Sequence, residues 1–499
     1  MSDGKVLLVG AGPGDPGLLT RKGADALAWA DVVVYDRLIS DELLELAPQA
    51  EKVYVGKTQG NHPVPQGKIN DILLKYAKDG KNVVRLKGGD PYIFGRGAEE
   101  AGHLAAHGVS FEVVHGVTSA VAALGYAGIP ATARDAASSV HIITGHAREG
   151  GELDIRYDAL AQLGGTLVFL MGVSTMGQIR EGLLAAGMPA ATPAAMVQEG
   201  TTPRQRRLLS TLGSVADDAA EAGIASPAIL VVGKVCSKAP QLGWFDALPL
   251  KGKSIVVTRP RARCRALAGK LERLGAEVLC MPSIETRPLP TGPAREALGH
   301  IGEYSWLVLT SAQGVTCLFA ALDEMGLDAR ALAGAQVAAI GPGTAAELSA
   351  HGLKADLVPG RYDSAQLAQA LAQRCEPGGK VLMLRAQVGA HDVPEALRAA
   401  GVECDDVATY ETVALDARDS VAAQRVRAGS VDFVTFTSAS TVRGFEISTL
   451  GAAMDTFTAA CIGRCTQAAA AKRGMATITA REATIDSLVE AIVQEASHE

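Results

Sequence analysis

A glycine-rich loop near the N-terminus is the first stretch whose residue types could bind a ligand. Gly12–Gly17 has the GxGxxG spacing of a dinucleotide-binding loop, and Asp36 ends the next predicted strand. However, Pro13 and Pro16 lack the backbone N–H groups that a pyrophosphate needs. Asp15 would also place a carboxylate beside the phosphates. The loop therefore suits a ligand without phosphate better than a nicotinamide dinucleotide, and a mere tight turn is the remaining alternative.

Three further loops with glycine or hydroxyl residues follow predicted strands. Gly88 and Gly89 permit close backbone approach, and Asp90 could accept hydrogen bonds from a hydroxyl or an amine. The other two are Gly116–Ala120 and Phe169–Gly172. Each of these loops therefore follows a predicted strand, as the first one does.

The order of the motifs in the first half carries a family resemblance. Residues 5–236 resemble uroporphyrinogen-III C-methyltransferase, of the tetrapyrrole methylase family, in the stretches VGAGPGDPGLLT, VVYDRLIS, VGKTQGNHPVPQ, VRLKGGDPYIFGRG, GVTSA, GIPATARD, TGH, FLMG and QEGTTPRQR. The resemblance implies a two-lobed α/β fold with S-adenosylmethionine as cofactor and S-adenosylhomocysteine as product. It also implies the addition of two methyl groups to uroporphyrinogen III, which yields precorrin-2.

The same resemblance assigns site residues. Asp36 matches the family's proposed proton acceptor and Lys57 its proposed proton donor. The alternatives are a helix N-cap or a partner of Arg37 for Asp36, a solvated lysine for Lys57 and core packing for Met171. The implied cofactor-binding residues are Pro13, Gly88, Gly89, Asp90, Ile93, Thr118, Ser119, Met171 and Gly200.

Basic residues near these motifs could hold the carboxylates of the tetrapyrrole through charge-assisted hydrogen bonds. Taken singly, each is more typical of a surface charge. The candidates are Arg37, Lys57, Lys87, Arg96, Arg134 and Arg148, of which Arg37, Arg96 and Arg134 are the predicted substrate-binding set.

The second half contains an internal repeat. The stretch WLVLTSAQG at 306–314 resembles FVTFTSAST at 433–441, and VAAIGPGTA at 337–345 resembles AACIGRCTQ at 459–467. Each Thr-Ser pair ends a strand and opens a helix, which aims backbone N–H groups toward one place. Two similar lobes facing a cleft are therefore expected.

Residues 253–493 resemble uroporphyrinogen-III synthase in VVTRP, LTSAQGV, AAIGPGTAAEL, VATYET and FTSAST. This family cyclises hydroxymethylbilane with loss of water and inversion of one ring. It implies that Tyr410 is the acid, with hinge packing as its alternative role. Arg464 and Cys465 depart from the small or apolar pair usual in the family. The expected polar contacts to substrate carboxylates are Thr310, Ser311, Gly341, Thr344, Thr437, Ser438 and Gly463, which could instead be turn and cap residues.

Short apolar strands that alternate with helical patterns place these motifs in an α/β fold with a largely parallel sheet. We predict a methyltransferase unit over 1–237, with lobes at about 1–116 and 117–237. A Pro- and Gly-containing linker should cover 238–252, with Trp244 and Phe245 docked on a neighbour. The synthase unit should cover 253–499, with one lobe from 253–285 plus 415–499 and the other from 286–414.

Composition narrows the classes of function. The 499 residues are 48% apolar and 20% charged, which is typical of packed domains, and the net charge of -7 argues against a broad nucleic-acid surface. No apolar run is long enough for a membrane span, and the first residues do not form a signal peptide. The 8 cysteines should be reduced thiols without a metal, in a cytoplasmic protein.

These features predict a bifunctional enzyme that cyclises hydroxymethylbilane and then methylates uroporphyrinogen III. We expect a homodimer formed through the methyltransferase half, without nucleic-acid or membrane partners. Two other readings remain open. The first loop could serve a nicotinamide-dependent reductase, or the second half could bind a linear tetrapyrrole without catalysis.

Overall fold

The computed structural model describes residues 4–37, 39–56, 64–146, 153–360, 362, 364–389 and 391–498. The chain forms two compact units, Met1–Lys251 and Gly252–Glu499. Residues 238–251, expected as a linker, thus belong to the first unit by their contacts. No helix among the described residues is long and apolar enough to cross a membrane.

The first lobe of the first unit is built on a five-stranded parallel sheet in the order β3-β2-β4-β1-β5. β1 and β4 are buried along their whole length, as expected for strands covered on both faces. The elements are β1 (Val6–Gly10), α1 (Arg21–Trp29), β2 (Val32–Tyr35), α2 (Asp41–Glu45), β3 (Glu51–Tyr54), α3 (Gln66–Lys78), β4 (Val83–Lys87), α4 (Gly97–Ala106) and β5 (Phe111–Val114).

The second lobe has a mixed sheet in the order β6-β7-β10-β8-β9. Only β6 and β7 pair in parallel, while β10 runs antiparallel to β7 and β8, and β8 and β9 form an antiparallel pair. The expectation of a largely parallel sheet is therefore wrong for this lobe. Its elements are α5 (Ser119–Tyr126), β6 (Val140–Thr144), α6 (Tyr157–Leu163), β7 (Thr166–Leu170), α7 (Met176–Ala185), β8 (Pro193–Gln198), β9 (Arg206–Thr211), α8 (Val215–Glu221), β10 (Ala228–Val232) and α9 (Ala239–Leu242).

The second unit contains two sheets, and the chain leaves the first to build the second before it returns. The elements are β11 (Ser254–Val257), α10 (Arg261–Glu272), β12 (Glu277–Cys280), β13 (Ile284–Pro288), α11 (Gly292–Gly299), β14 (Trp306–Leu309), α12 (Ala312–Glu324), β15 (Gln336–Ala339), α13 (Pro342–Ala350), α14 (Ser364–Ala372), β16 (Lys380–Ala386), α15 (Asp392–Ala399), β17 (Glu403–Ala414), α16 (Val421–Arg427), β18 (Phe433–Phe436), α17 (Ala439–Ser448), β19 (Thr458–Cys461), α18 (Arg464–Ala471), β20 (Ala476–Thr479) and α19 (Ile485–Ala496).

One lobe of this unit, formed by the two ends of its chain segment, has a parallel sheet in the order β12-β11-β18-β19-β20. The other lobe, formed by the middle of the segment, has a sheet in the order β13-β17-β16-β14-β15. β13 pairs antiparallel with the long strand β17, and this pair connects the lobes. The chain therefore passes from one sheet to the other near residue 284 and returns near residue 414, close to the predicted lobe boundaries at 285 and 415. Short 3-10 helices cover Pro16–Leu18, Lys234–Lys238, Ile301–Glu303 and Ala329–Leu332.

One disulfide bond joins Cys264 on α10 to Cys280 at the end of β12. The expectation that all the cysteines are free thiols is wrong for this pair, because the strand-helix-strand unit brings their Cα atoms to 6.4 Å. Across the described part of the chain, no group of three or more His, Cys, Asp or Glu side chains could hold a metal ion.

Candidate active sites

Loops after β1, β4 and β5 meet at the carboxyl edge of the first sheet. Gly12 N–H donates to Gly89 O (3.2 Å), and Gly89 N–H donates to Gly12 O (2.7 Å). A Cβ on Gly10 would lie 2.5 Å from Gly116 N, so a side chain would push these loops apart. The glycines of the motifs therefore allow three backbone segments to converge, as the sequence predicted.

An open space lies beside Gly89. Its φ of 67° is in the left-handed region, and a Cβ there would meet no heavy atom closer than Thr118 Cα at 3.9 Å. Thr118 caps α5, since its Oγ1 accepts a hydrogen bond from Ala120 N–H (3.4 Å). Ser119 begins the helix, and Gly88 is half-buried next to Gly89. The space beside Gly89, next to Thr118, is called the recess below.

Asp90 is turned into the protein and fastens the loops together. Its Oδ1 accepts from Tyr92 N–H (2.8 Å), and its Oδ2 accepts from Gly116 N–H (3.1 Å). His115 Nδ1 lies 2.9 Å from the same Oδ2, and Asp90 is only 6% exposed. The sequence predicted a carboxylate that receives ligand hydrogen bonds, whereas the structure uses both oxygens to shape the recess.

The second lobe clamps the loop that holds Pro13. Asp15 N–H donates to Thr201 Oγ1 (3.1 Å), and Tyr126 OH donates to Asp15 Oδ2 (2.5 Å). Asp15 Oδ1 accepts from Gly17 N–H (2.7 Å), so the carboxylate caps the short helix after the loop. Burial and the bond to Asp15 raise the pKa of Tyr126, which keeps the phenol protonated as a donor.

The segment predicted as a linker supports this clamp. The rings of Trp244 and Phe245 lie 5.0 Å and 4.9 Å from the ring of Tyr126. Trp244 Nε1 donates to Gly125 O (3.2 Å), and Lys251 Nζ donates to Pro203 O (2.6 Å). The aromatic pair therefore packs against the residue that holds Asp15.

Two predicted cofactor residues come from the second lobe. Met171 follows β7 with a φ of 58° and is 48% exposed, so it is not core packing. Gly200 packs against α5, where a Cβ would lie 2.3 Å from Ala123 Cβ. Its neighbours Glu199 and Thr201 have φ values of 46° and 73°. Positive φ in residues other than glycine is costly and concentrates at functional sites.

Asp36 lies at the same carboxyl edge, directly after β2, and its side chain is 30% exposed. Arg85 Nη2 donates to Asp36 Oδ2 at 3.4 Å. The N-cap of α2 is Ser40, which accepts from Glu42 N–H, so the alternative of Asp36 as a helix cap is wrong. Lys57 lies outside the described residues, and so does Arg148.

A buried charge cluster behind Asp36 was missed by the sequence reasoning. Glu100 is 0% exposed, and its Oε1 accepts from Arg85 Nε (3.1 Å), Lys87 Nζ (2.9 Å) and Gln66 Nε2 (3.2 Å). Burial and the charge of Arg85 lower the pKa of Lys87, whereas Glu100 and Asp36 act in the opposite direction. The sequence signal for this cluster was the pair Arg85 and Lys87, two basic residues in the otherwise apolar strand β4. The expectation that Lys87 holds substrate carboxylates is wrong, because it is buried against Glu100.

The predicted carboxylate-binding arginines are exposed. Arg37 follows Asp36, and Arg134 lies in a turn closed by the bridge between Ala133 and Ala137. Arg96 has a φ of 58° and donates through Nε and Nη2 to Glu99 (2.8 and 2.7 Å). Three exposed apolar side chains precede it on the same loop: Tyr92, Ile93 and Phe94.

In the second unit, Tyr410 OH donates to Ser311 Oγ at 2.8 Å. Tyr410 lies on β17 and is 7% exposed, and Ser311 follows β14. Burial is the largest cause that raises the pKa of Tyr410, while the contact with Ser311 and the charge of Arg263 lower it. The phenol therefore keeps its proton and is held at a strand end.

The repeat produces the same helix caps in both lobes. Ser311 Oγ accepts from Gly314 N–H (3.0 Å), and Ser438 Oγ accepts from Thr441 N–H (3.2 Å). Thr310 and Thr437 precede these caps and are partly buried.

Glycines provide the second pair of caps. Gly341 caps α13 and Gly463 caps α18. A Cβ on Gly341 would lie 3.1 Å from Tyr362 Cβ, whereas Gly463 faces open space. Thr344 is buried, and so is Thr466, its counterpart in the repeat, which the sequence reasoning missed. Arg464 and Cys465 are exposed in the first turn of α18, so they leave the cap intact.

Family models match both units. Residues 5–216 match the model described as tetrapyrrole (corrin/porphyrin) methylases, and residues 265–490 match the model described as uroporphyrinogen-III synthase HemD. Among solved structures, uroporphyrin III C-methyl transferase from Thermus thermophilus is 43% identical with a TM-score of 0.41, over 47% of this chain and 99% of that one.

Two curated relatives differ in how much of them the chain covers. Siroheme synthase of Edwardsiella ictaluri is 51% identical over 246 residues, which are 49% of this chain and 52% of that protein. Porphyrin biosynthesis protein HemD of Ruminiclostridium josui is 46% identical over 496 residues, which are 99% of this chain and 98% of that protein. Because this second likeness spans both units, the chain belongs to the family of bifunctional tetrapyrrole-biosynthesis enzymes in which a tetrapyrrole methylase is followed by a uroporphyrinogen-III synthase.

Proposed function

We propose that the first unit transfers two methyl groups from S-adenosylmethionine to uroporphyrinogen III and releases precorrin-2. The observation that carries this proposal is the recess beside Gly89, which opens at the same carboxyl edge as Asp36. Ligands of open α/β sheets bind at this edge. A cofactor in the recess and a carboxylate beside it are the two components that methylation of a pyrrole carbon requires.

The residues fit a cofactor that carries a sulfonium and no phosphate. The Asp15 carboxylate caps the short helix where a phosphate would otherwise bind, and Pro13 and Pro16 provide no N–H group. S-adenosylmethionine supplies an electrophilic methyl group. The residues proposed to hold it are Pro13, Gly88, Gly89, Asp90, Ile93, Thr118, Ser119, Met171 and Gly200, with Asp90 acting through the shape of the recess.

Asp36 is the proposed proton acceptor. When a pyrrole carbon becomes methylated, a pyrrole N–H has to lose its proton, and a partly exposed carboxylate can accept it. Lys57 is the proposed proton donor on the basis of the family motif alone. Arg37, Arg96 and Arg134 are proposed to bind the substrate's carboxylates, because exposed guanidinium groups form charge-assisted pairs with such groups.

We propose that the second unit cyclises hydroxymethylbilane to uroporphyrinogen III. Burial keeps the Tyr410 phenol protonated, and its O–H would turn from Ser311 Oγ to the departing hydroxyl when the substrate binds. Ser311 holds the phenol in place through its Oγ. The helix N-termini after the repeated strands would bind substrate carboxylates through Thr310, Ser311, Gly341, Thr344, Thr437, Ser438 and Gly463.

The methyltransferase proposal is tested with uroporphyrinogen III and S-adenosylmethionine, with the product identified by mass. We expect addition of two methyl groups. A thermal-shift comparison should show stabilisation by S-adenosylhomocysteine and none by NAD(P)H. Stabilisation by NAD(P)H alone, without methyl transfer, would favour a reductase instead.

The synthase proposal is tested with hydroxymethylbilane alone. The chain should yield the type III isomer rather than the symmetric isomer that forms spontaneously, as measured after oxidation to porphyrins. Binding of hydroxymethylbilane without a change in isomer ratio would mean that the second unit binds a linear tetrapyrrole without catalysis.

Three further predictions complete the proposal. The methyltransferase unit would dimerise with a second copy, and the protein would act in the cytoplasm without nucleic-acid or membrane partners. The boundary between the methyltransferase unit and the synthase unit would lie at the end of residues 238–252. Sedimentation of the full chain tests the first of these.

A further inference from the structure

Arg85 is held in one orientation by hydrogen bonds from all three guanidinium nitrogens. Its Nη1 donates to Val34 O (3.4 Å) and Leu86 O (3.2 Å), while Nε donates to Glu100 Oε1 (3.1 Å). The side chain is 4% exposed. Nη2 is thereby aimed at Asp36 Oδ2, so the rigid fork of the guanidinium links a buried anion to the exposed one.

Glu100 is the anchor of this arrangement. It is fully buried, and its Oε1 receives Arg85, Lys87 and Gln66 together. No hydrogen-bond partner of its Oε2 lies within the described ranges. Burying a carboxylate costs free energy, and packing alone could be achieved with an apolar residue. A buried charge cluster beside a partly exposed carboxylate at a strand end is therefore better explained by a role at that carboxylate.

We propose that Arg85 is a positioning residue for Asp36, and that Glu100, with Lys87, is the buried anchor that fixes Arg85 in this role. The proposal rests on the function proposed for the first unit. Arg85 orients the Asp36 carboxylate toward the substrate through the hydrogen bond from Nη2. Glu100 on α4 lies behind Arg85 and also pairs with Lys87 on β4.

The sharpest test replaces the buried pair by apolar residues of similar size in the full chain. The double variant Lys87→Met, Glu100→Leu keeps the net charge of the cluster but removes the acceptor of Arg85 Nε, so its melting temperature should fall. In the folded variant we expect an unchanged S-adenosylhomocysteine affinity and a fall in kcat for methyl transfer of about tenfold to a hundredfold. KM should change little, because both residues are buried. A folded variant with the parent's kcat would overturn the proposal and leave the cluster with a structural role.

A second variant keeps the proposal falsifiable if the first one does not fold. Arg85→Lys keeps the charge but lacks the fork, so its ammonium cannot reach Glu100 and Asp36 as the guanidinium does. We again expect a loss in kcat at constant KM and constant cofactor affinity. Full activity of Arg85→Lys would overturn the proposal.

The control is Asp71→Asn, which removes a carboxylate that is 72% exposed on α3 of the same lobe. It should leave kcat unchanged. The parent chain and Asp36→Asn separate this inference from the proposed function. If the parent does not methylate uroporphyrinogen III, the function itself is wrong. If Asp36→Asn stays active, the function stands and the inference fails, since Arg85 would then have no acceptor to position.

Discussion

Among the described residues of the first unit, five other than glycine have positive φ, and all five lie in loops that follow strands: Phe94, Arg96, Met171, Glu199 and Thr201. In the described part of the second unit, every residue with positive φ is a glycine. The second site instead repeats relaxed caps, with φ of -164° at Ser311 and -166° at Ser438. On the proposed function, strained backbone would shape the site of one small cofactor, whereas repeated helix N-termini would suit a large, flexible, polyanionic substrate.

This difference predicts that single substitutions damage the first site more than the second. In the first unit the proposed cofactor recess depends on glycines in contact and on one anchored carboxylate. In the second unit several equivalent caps would share the binding of the substrate. Four predictions test this contrast, in order of decreasing expected effect.

The largest effect is expected for Asp36→Asn. The amide keeps the shape of the side chain but cannot accept the pyrrole proton as a carboxylate does, so methyl transfer should fall about a hundredfold or more. Affinity for S-adenosylhomocysteine, measured by calorimetry, and cyclisation by the second unit should be unchanged. A variant with normal methyl transfer would remove Asp36 from the mechanism.

Gly89→Ala should weaken cofactor binding. Its Cβ would project into the recess, and a loss of about tenfold in S-adenosylhomocysteine affinity corresponds to an overpacking cost of about 1.4 kcal/mol. The matched control is Gly108→Ala, because Gly108 has a φ of 70° and no neighbour within 4 Å. Both variants should lose about 1 kcal/mol of stability from the left-handed backbone. Equal affinities in the two variants would show that the recess is not the cofactor site.

Tyr410→Phe should slow cyclisation by about tenfold. This is less than a usual general-acid effect, because the hydroxyl of the substrate leaves readily. The isomer ratio after oxidation to porphyrins provides the measurement. Tyr304→Phe is the control: Tyr304 is also buried and donates to Asp405 Oδ2 (2.5 Å), but it lies before β14, whereas Tyr410 contacts Ser311 after β14. If Tyr410→Phe behaves like Tyr304→Phe, Tyr410 has a packing role only.

The smallest effects are expected at the repeated caps. Ser311→Ala and Ser438→Ala each remove one N-cap, which should cost about 1 kcal/mol of stability in a denaturant titration. Ser311→Ala should slow cyclisation more than Ser438→Ala does, because Ser311 also holds Tyr410. Equal rates in the two variants would mean that this hydrogen bond does not matter for the reaction.

The sequence predicted the strands and loops that carry the motifs of the first unit, because each motif follows a short apolar run. It also predicted two similar lobes in the second unit from the internal repeat. The sequence could not predict that Glu100 lies behind Asp36. This contact depends on how α4 packs against β4, which is a tertiary contact. Nor could the sequence predict that Asp90 is turned inward, because residue type does not determine which partners a carboxylate meets.

The sequence did not predict the mixed sheet in the second lobe of the first unit, for another physical reason. β9 reads RRLLST, a partly exposed edge strand without a continuous apolar run, and short edge strands carry little sequence signal. The docking of Trp244 was expected from its type, but its partner Tyr126 depends on tertiary contacts.

One measurement tests the central claim that both activities reside in this chain. The full-length protein is incubated with hydroxymethylbilane and S-adenosylmethionine, and the product is identified by mass and absorbance. We predict precorrin-2, a type III macrocycle with two added methyl groups. With Asp36→Asn the reaction should stop at uroporphyrinogen III. Unmethylated symmetric isomer as the only product of the parent chain would contradict both assignments.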